Sequence, residues 1–575
     1  MQDNIYYYKK ELDYLHKMRT LFVRNFPKLA PFLDYNSKDP DIERLIENFA
    51  ILTSKLHQEL DSNIPLLAES LINIISPNYT NPLPSVCIQD FTLSPDAKAL
   101  KLFLPKNTEV HSIPIDDVEC RFKTLYDVWL YPLQITDCTI SNAHDTHSLS
   151  LDLMTSKSDI AIASLDISHL DIYLGNDIYT SNTLLMWILH YLKEIIIFFE
   201  NGEEFRIQPS FVTHRGLGEG ESAFNSGENG FEAFALLQEL FFIPEKFNFI
   251  RINKLDILKR CNARGFRMKF NFTKPLPAVC IPRAEMLSLS ASPIVNAFPI
   301  SAEPIINKHD RESYRIFINQ NKPQGYEIVE VVRVKAHNSD TGKRILKNYK
   351  SFERFGIFEN NRLNDFYSLS YKKDAYQTPH RHISFFSQTN ITETISIETI
   401  ACNKHLPSHL KIGHINKLNS KDIITRNITL PTPMKQVEID GELLWKIVSV
   451  ISFNYQSLLD KPTFLTALES YSFHLHNDTD NIVKRFAKAL VEIHSKPIYR
   501  LSNMITKKGT LCIMSIDESR FYCLGEVYKM GLVFAKFFSH FASINSFCEL
   551  QIRSINKDTI TTINYPYKDG SRAIM

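Results

Sequence analysis

Near Pro84 the spacing of the apolar residues changes, and that change constrains the fold more than any other feature of the chain. Upstream, apolar side chains recur every three or four residues. Downstream they fall in short runs rich in β-branched and aromatic residues, broken by Pro, Asp and Asn. A period near 3.6 lays one apolar stripe along a helix, whereas a strand turns successive side chains to opposite faces. The expected fold class is therefore α+β and multi-domain: an N-terminal helical unit, then β-rich sandwich-like or barrel-like domains, then a C-terminal α+β unit. A length of 575 residues is enough for several domains.

The helical front has clear start and stop signals. Asp39 is an N-cap, Pro40 brings a preset φ where no amide partner is needed, and Asp41 and Glu43 sit at the positive end of the helix dipole. Ile42, Leu45, Ile46, Phe49, Leu52, Leu56 and Leu60 then form one stripe, with Glu47, Lys55 and Glu59 off it. Pro65 restarts the chain, Leu67, Leu71, Ile74 and Ile75 continue a second stripe, and Pro77 ends it. An earlier helix over Asn4 to Phe26 carries Tyr8, Leu12, Leu15, Met18, Phe22 and Phe26. Such stripes pack into a chain's own core, or they join a bundle with other chains; periodicity does not separate the two.

Four segments follow from the changes of pattern: 1–90 helical, 91–280 β-rich with helical insertions, 281–435 β-rich again, and 436–575 α+β. In the second, the greasiest run, Leu184 to Phe199, is interrupted by His190, Lys193 and Glu194. It falls short of the roughly 20 apolar residues a bilayer span needs and reads as a buried helix, or a helix leading into a strand. Phe231 onwards reads as a short helix stopped by Pro244, then a strand. In the third segment, a polar loop with Lys343, Arg344, Lys347, Tyr349, Lys350, Phe352, Arg354 and Phe355 separates two strand patterns. The fourth carries helical patterns over 441–458, over the run NIVKRFAKALVEIH, and over 525–541, where Val533, Phe534, Phe537, Phe538 and Phe541 share a face; a strand SFCELQI follows.

Composition narrows the chemistry. Lys plus Arg total 65 against 64 acidic residues, so no global field steers the chain to nucleic acid or anionic lipid. The nine cysteines are scattered without a CxxC pair and read as reduced thiols in a cytoplasmic setting. The polar, aromatic start MQDNIYYYKKELDYL lacks the apolar core of a signal peptide. HExxH, GxSxG, Walker and deaminase signatures are absent, and adjacent acids such as Asp116 and Asp117 do not make facing carboxylates. His380 with His382, and His474 with His476, offer two imidazoles each, too few for a closed zinc site. The patch Gly216 to Gly220 invites a phosphate-loop reading, but Glu219, Glu221 and Glu228 oppose a phosphate, so it reads as a mobile surface loop. The basic and aromatic loop after residue 342 is diluted by Glu353, Glu359 and Asp365 and reads as solvated or protein-binding. No catalytic residue, cofactor or metal ligand is expected.

The blocks YYYKKELDYL, Phe26-Pro27-Lys28, DPDIERLIENFAILTSKLHQELD and LLAESLINIISPNYTNPLPS, in that order, resemble the opening of the TssF family of type VI secretion baseplate subunits. LQELFFIPEKFNF, the segment Ser292 to Phe298 with Ala302 to Ile305, and Asn545-Ser546-Phe547 are similar to later landmarks of that family. The family's Asn-Arg-Asp-Leu-Pro is here Asn403-Lys404-His405-Leu406-Pro407, which puts any contact of the usual Arg and Asp in question. The resemblance implies a non-enzymatic wedge subunit of a contractile, phage-tail-like machine, cytoplasmic and held at the inner face of the inner membrane. It implies TssG, a second TssF copy, TssK, TssE and the VgrG hub as partners, the sheath indirectly, and neither nucleic acid nor membrane insertion. The first helices would then bundle with TssG and the second copy through Tyr8, Leu12, Leu15, Phe22, Ile42, Leu45, Phe49, Leu52 and Leu56. A reading of another class is a carbohydrate-binding or glycan-processing tail-associated protein with an aromatic groove. Only Trp129, Trp187 and Trp445, in separate contexts, are available to build one.

Overall fold

The structure is a computed structural model that describes residues 8–15, 17–18, 44, 46–55, 81–143, 146–218, 220–224, 232–338, 342–348, 366–373, 379–386, 392–436, 459–472, 482–502, 505–543, 545–556 and 559–570. The chain forms two compact units, Met1–Ile74 with Glu438–Ser449, and Ile75–Val437 with Val450–Met575. In the first, residues 8–15 and 46–55 are α-helical, as the periodicity predicts. The second stripe over 65–77 and the helix over 441–458 lie outside the described residues.

The second unit is α+β and strand-rich, as expected. A six-stranded sheet orders its strands Ile415–Leu418, Glu109–Ile115, Val118–Thr124, Ala291–Val295, Val86–Leu93 and Ile423–Asn427. Its buried face is a cluster that includes Cys87, Phe91, Val110, Cys120, Phe122 and Ile294. Along Val118–Thr124 burial alternates residue by residue, the period that shields one face of a strand. Segments far apart in sequence meet here: Gln89 pairs with Ser292 on one side and with Asn427 on the other.

An eight-stranded sheet, centred on Glu327–Asn338 and Glu393–Cys402, is entered through Phe298–Ser301 directly after the six-stranded sheet is left at Val295. The extended, proline-bearing stretch Ser292 to Ile305 is therefore the crossing between two sheets. The expected polar loop is in part a strand: Gly342–Asn348 pairs with the far half of Glu327–Asn338, so Lys343, Arg344 and Lys347 belong to a hairpin. Tyr349, Lys350, Phe352, Arg354 and Phe355 lie outside the described residues.

Helix α1 (Ile178–His190) leads straight into the strand Leu192–Phe199 of a five-stranded sheet, the second of the two readings open for that apolar run. Asp177 caps α1 by accepting from the Thr180 amide at 2.8 Å. Helix α2 (Glu232–Phe242) ends before Pro244 and is followed by the strand Phe249–Ile252. Helix α3 (Lys461–Tyr471) has no forerunner in the sequence reading. Helix α4 covers only Ile482–Ala489; the rest of the expected helix, Leu490 onwards, is a strand to Ser502. Its β-branched and aromatic content, with Pro497 inside, suits a sheet edge better than a helix interior. Helix α5 (Leu524–Ser539) connects the parallel strands Ile505–Asp517 and Ser546–Asn556, a βαβ crossover. Val533, Phe534, Phe537, Phe538 and Phe541 are all buried, and Phe464 of α3 and Phe486 of α4 pack against Phe534 with ring centroids 5.4 and 5.3 Å away.

Candidate functional site

Two kinds of residue compete for a functional role: apolar side chains left in solvent and charged side chains taken out of it. The helical residues 46–55 show the first kind. Ala50 and Ser54 are buried and Ile46 and Thr53 half-buried, a spacing of three and four that defines the face packed within this unit. Phe49 and Leu52, three apart on the neighbouring face, are 52% and 58% exposed. Of the stripe drawn from the sequence, Ile46 is thus half-buried while Phe49 and Leu52 face water, and the buried positions between them are small. Tyr8, Leu12 and Leu15 are half-buried, with Tyr14 and Met18 exposed beside them. Phe22, Ile42, Leu45 and Leu56 lie outside the described residues.

The charged clusters explain several landmarks. In LQELFFIPEKFNF, Glu239 and Lys246 have no exposed side-chain surface and form an ion pair. Glu239 also accepts from the Ala223 amide and the Ser222 hydroxyl, both at 2.6 Å. Asn248 of the same motif donates to the Gly175 carbonyl at 2.9 Å and accepts from Lys529 of α5 at 3.2 Å. Burial lowers the Lys529 pKa to about 8. The motif's polar residues therefore stitch α2, α1 and α5 together from inside. Sequence reasoning missed them, although charges embedded in an apolar run are the signal that finds such pairs.

The glycine patch is corrected in the same way. Gly216 is buried, and the amides of Gly216 and Gly218 donate to the Glu221 carboxylate at 2.8 and 2.9 Å. The glycines do build an anion cradle, and their own glutamate fills it. Glu221 in turn accepts from Arg215 at 3.2 Å, and Arg215 pairs with Asp171, which Arg251 grips with both ends of its guanidinium at 2.6 and 2.8 Å. The Arg215 guanidinium lies 4.4 Å from the Tyr126 ring centre.

The Asn403-Lys404 step is a third knot. The Asn403 amide donates to Asn296 Oδ1 at 2.7 Å, Asn296 Nδ2 returns to Asn403 Oδ1 at 2.9 Å, and the Arg121 amide donates to the same oxygen at 3.0 Å. Lys404 keeps a cation where the family pattern has Arg: its ammonium is 3.9 Å from Glu327 and 3.2 Å from Gln324 Oε1. Burial raises the Glu327 pKa, opposed by Lys404. This knot joins the six-stranded and eight-stranded sheets.

The remaining described candidates have other surroundings. His380 Nδ1 lies 2.9 Å from an Arg315 nitrogen, a cationic neighbour that opposes a metal there, and His474 and His476 lie outside the described residues. Among the described residues no group of three or more His, Cys, Asp or Glu is placed to hold a metal ion. All nine cysteines are free, seven of them buried, and burial pushes Cys120, Cys138, Cys280 and Cys402 up to about 12, away from thiolate chemistry. Trp187 is buried and donates to the Lys274 carbonyl at 3.2 Å, and Trp129 packs on Phe103 under Lys101, so the two share no groove. Among the described residues no helix is long and apolar enough to cross a membrane.

A family model described as "Type VI secretion system, TssF" matches residues 1–572. The type VI secretion system component TssF1 of Pseudomonas aeruginosa is 24% identical over 622 aligned residues, which cover 98% of each chain. Among solved structures, a chain of a TssK-TssF-TssG baseplate subcomplex seen by cryo-electron microscopy superposes with a TM-score of 0.78 at 21% identity, covering 92% of this chain and 99% of that one. A chain of the type VI secretion baseplate complex does so with a TM-score of 0.65 at 19% identity, covering 99% and 100%.

Proposed function

From the premise that the chain belongs to the TssF family of the type VI secretion system, we propose that it is a structural subunit of the baseplate, joined to TssG and TssK in a wedge that supports the sheath and inner tube. The observation that carries the contact role is the half-exposed pair Phe49 and Leu52 on a helix whose small residues face inward. Two large apolar side chains held half in water are an unfavourable arrangement for a chain alone, and covering the exposed half of each recovers roughly 1 kcal/mol per side chain. The buried ion pairs support a scaffold as well, because their charges are spent on one another. The finer partners, a second TssF copy, TssE and the VgrG hub, and a cytoplasmic position facing the inner membrane, belong to the same proposal.

The test is co-purification of the full chain with its TssG counterpart. Phe49→Ser with Leu52→Ser is expected to abolish the complex while leaving the chain's melting temperature nearly unchanged, since half-exposed substitutions shift stability by only about 0.5 kcal/mol. An intact complex would refute the assignment of this face.

A further inference from the structure

A cavity of about 410 Å³ opens where the two large sheets meet helices α2 and α5. Lys123 and Val295 come from the six-stranded sheet, Pro299 and Ile400 from the eight-stranded sheet, Leu236 from α2 and Lys536 from α5. Lys106 and His540 complete a lining with four basic groups, while Leu125 and Phe224 extend its apolar wall. Among the described residues no carboxylate lines it and neither Lys123 nor Lys536 has a carboxylate partner, while the Lys106 ammonium donates to the Gly220 carbonyl. Elsewhere in this unit Arg215 is answered by Asp171 and Glu221, Lys246 by Glu239 and Lys404 by Glu327, while the buried Lys529 rests on the Pro244 carbonyl and Asn248 Oδ1.

The gathered charge is felt locally. Burial, then Lys536 and Lys568, hold the His540 pKa down at about 4, and Lys568 is itself lowered by burial and by Lys536. In a chain with 65 basic and 64 acidic residues, placing Lys123 and Lys536 beside an apolar wall with no carboxylate among the described residues is a local choice that overall composition does not impose. A lysine at a partly buried site with no carboxylate beside it gains when something outside supplies the opposite sign.

We propose that this cavity receives a segment of a partner protein whose acidic side chains meet Lys123 and Lys536 while an apolar side chain fills the wall of Leu125, Phe224 and Leu236. The volume suits a few side chains, and the mixed lining favours such a segment over a bare inorganic anion, which would leave the apolar wall uncovered. The proposal rests on the subunit reading above and adds a second contact site to it, at the point where one peptide would clamp two sheets and two helices.

The test titrates the full chain into a fluorescein-labelled hexapeptide, Glu-Asp-Leu-Phe-Asp-Glu, and follows anisotropy. Binding is expected, weakening with added salt, and weakening at least roughly tenfold both for the amide analogue Gln-Asn-Leu-Phe-Asn-Gln and for the variant Lys123→Gln with Lys536→Gln. The same variant is expected to melt no lower than the parent, because neither lysine has a carboxylate partner to lose. Unchanged affinity in the variant or for the amide analogue overturns the proposal. So does a fall in melting temperature, which would make the lysines parts of the fold, or displacement of the peptide by millimolar phosphate, which would make the cavity a small-anion site. Co-purification with TssG is run alongside: its loss for the parent chain would sink the subunit reading, whereas its retention with failed peptide binding would sink only this cavity.

Discussion

Lys246 has no exposed side-chain surface, and its ammonium meets the equally buried Glu239. Two charges taken from water stabilise the fold only when each answers the other and the remaining lone pairs are used, and here the amides of Ala223 and Phe224 and the Ser222 hydroxyl use those of Glu239. Removing one partner is the severe change. Lys246→Met is expected to cost about 3–5 kcal/mol, read as a shift of the urea midpoint, because it leaves a carboxylate buried without its cation. Adding Glu239→Gln should recover most of that, since Gln keeps an acceptor for the Ala223 amide. A single variant as stable as the parent would mean that the pair carries no such energy.

Helices α1 and α5 show why an element's identity and its packing are different kinds of information. α5 is legible because its aromatic residues recur at three and four, and the structure buries all of them. Its packing against α1 depends on Gly525, where a Cβ would collide with the Asn182 carbonyl group. Helix propensity alone favours Gly525→Ala by about 1 kcal/mol. Packing reverses the sign: the added methyl forces backbone apart, and we expect a net loss of more than about 2 kcal/mol in thermal or urea unfolding. An Ala variant as stable as the parent would show that α1 and α5 yield at this point. The same distinction sorts the rest of the chain. The strand Val86–Leu93 and the Pro244 stop are readable because each rests on local period or a local breaker, whereas the run Leu184 to Phe199 leaves a buried helix and a helix-to-strand passage both open. Leu490 to His494 read as a continuation of α4 because a short apolar run fits either period, and sheet pairing along Leu490–Ser502 decides it. At the candidate contact face, spacing grouped Phe49 and Leu52 with Ile46, but which side of that stripe faces inward depends on what packs there, and it is the side of Ala50 and Ser54. The Glu239–Lys246 and Asn296–Asn403 knots join residues whose relation is spatial, so single-sequence periodicity has no access to them.

At the scale of the molecule, the six-stranded sheet sets the order in which parts can be removed. Val86–Leu93 lies between Ala291–Val295 and Ile423–Asn427, so its backbone groups are used on both edges by segments more than two hundred residues away. Pairings of that range form late and leave strand edges open while they wait. The unit that contains every named strand begins at Ile75. Deleting residues 1–74 is therefore expected to leave a chain that still melts cooperatively, and, on the contact proposed for Phe49 and Leu52, one that no longer co-purifies with TssG. Deleting 1–94 takes away one strand more, and its consequence is of another kind. Ser292 and Thr425 lose the partners opposite them, Phe91 leaves the core, and two inner edges of a large sheet are exposed to other chains. The longer deletion should partition into the insoluble fraction when the two are expressed side by side and separated by centrifugation. Equal solubility of the two would mean that Val86–Leu93 can be spared, and that the sheet closes by pairing Ala291–Val295 with Ile423–Asn427 directly.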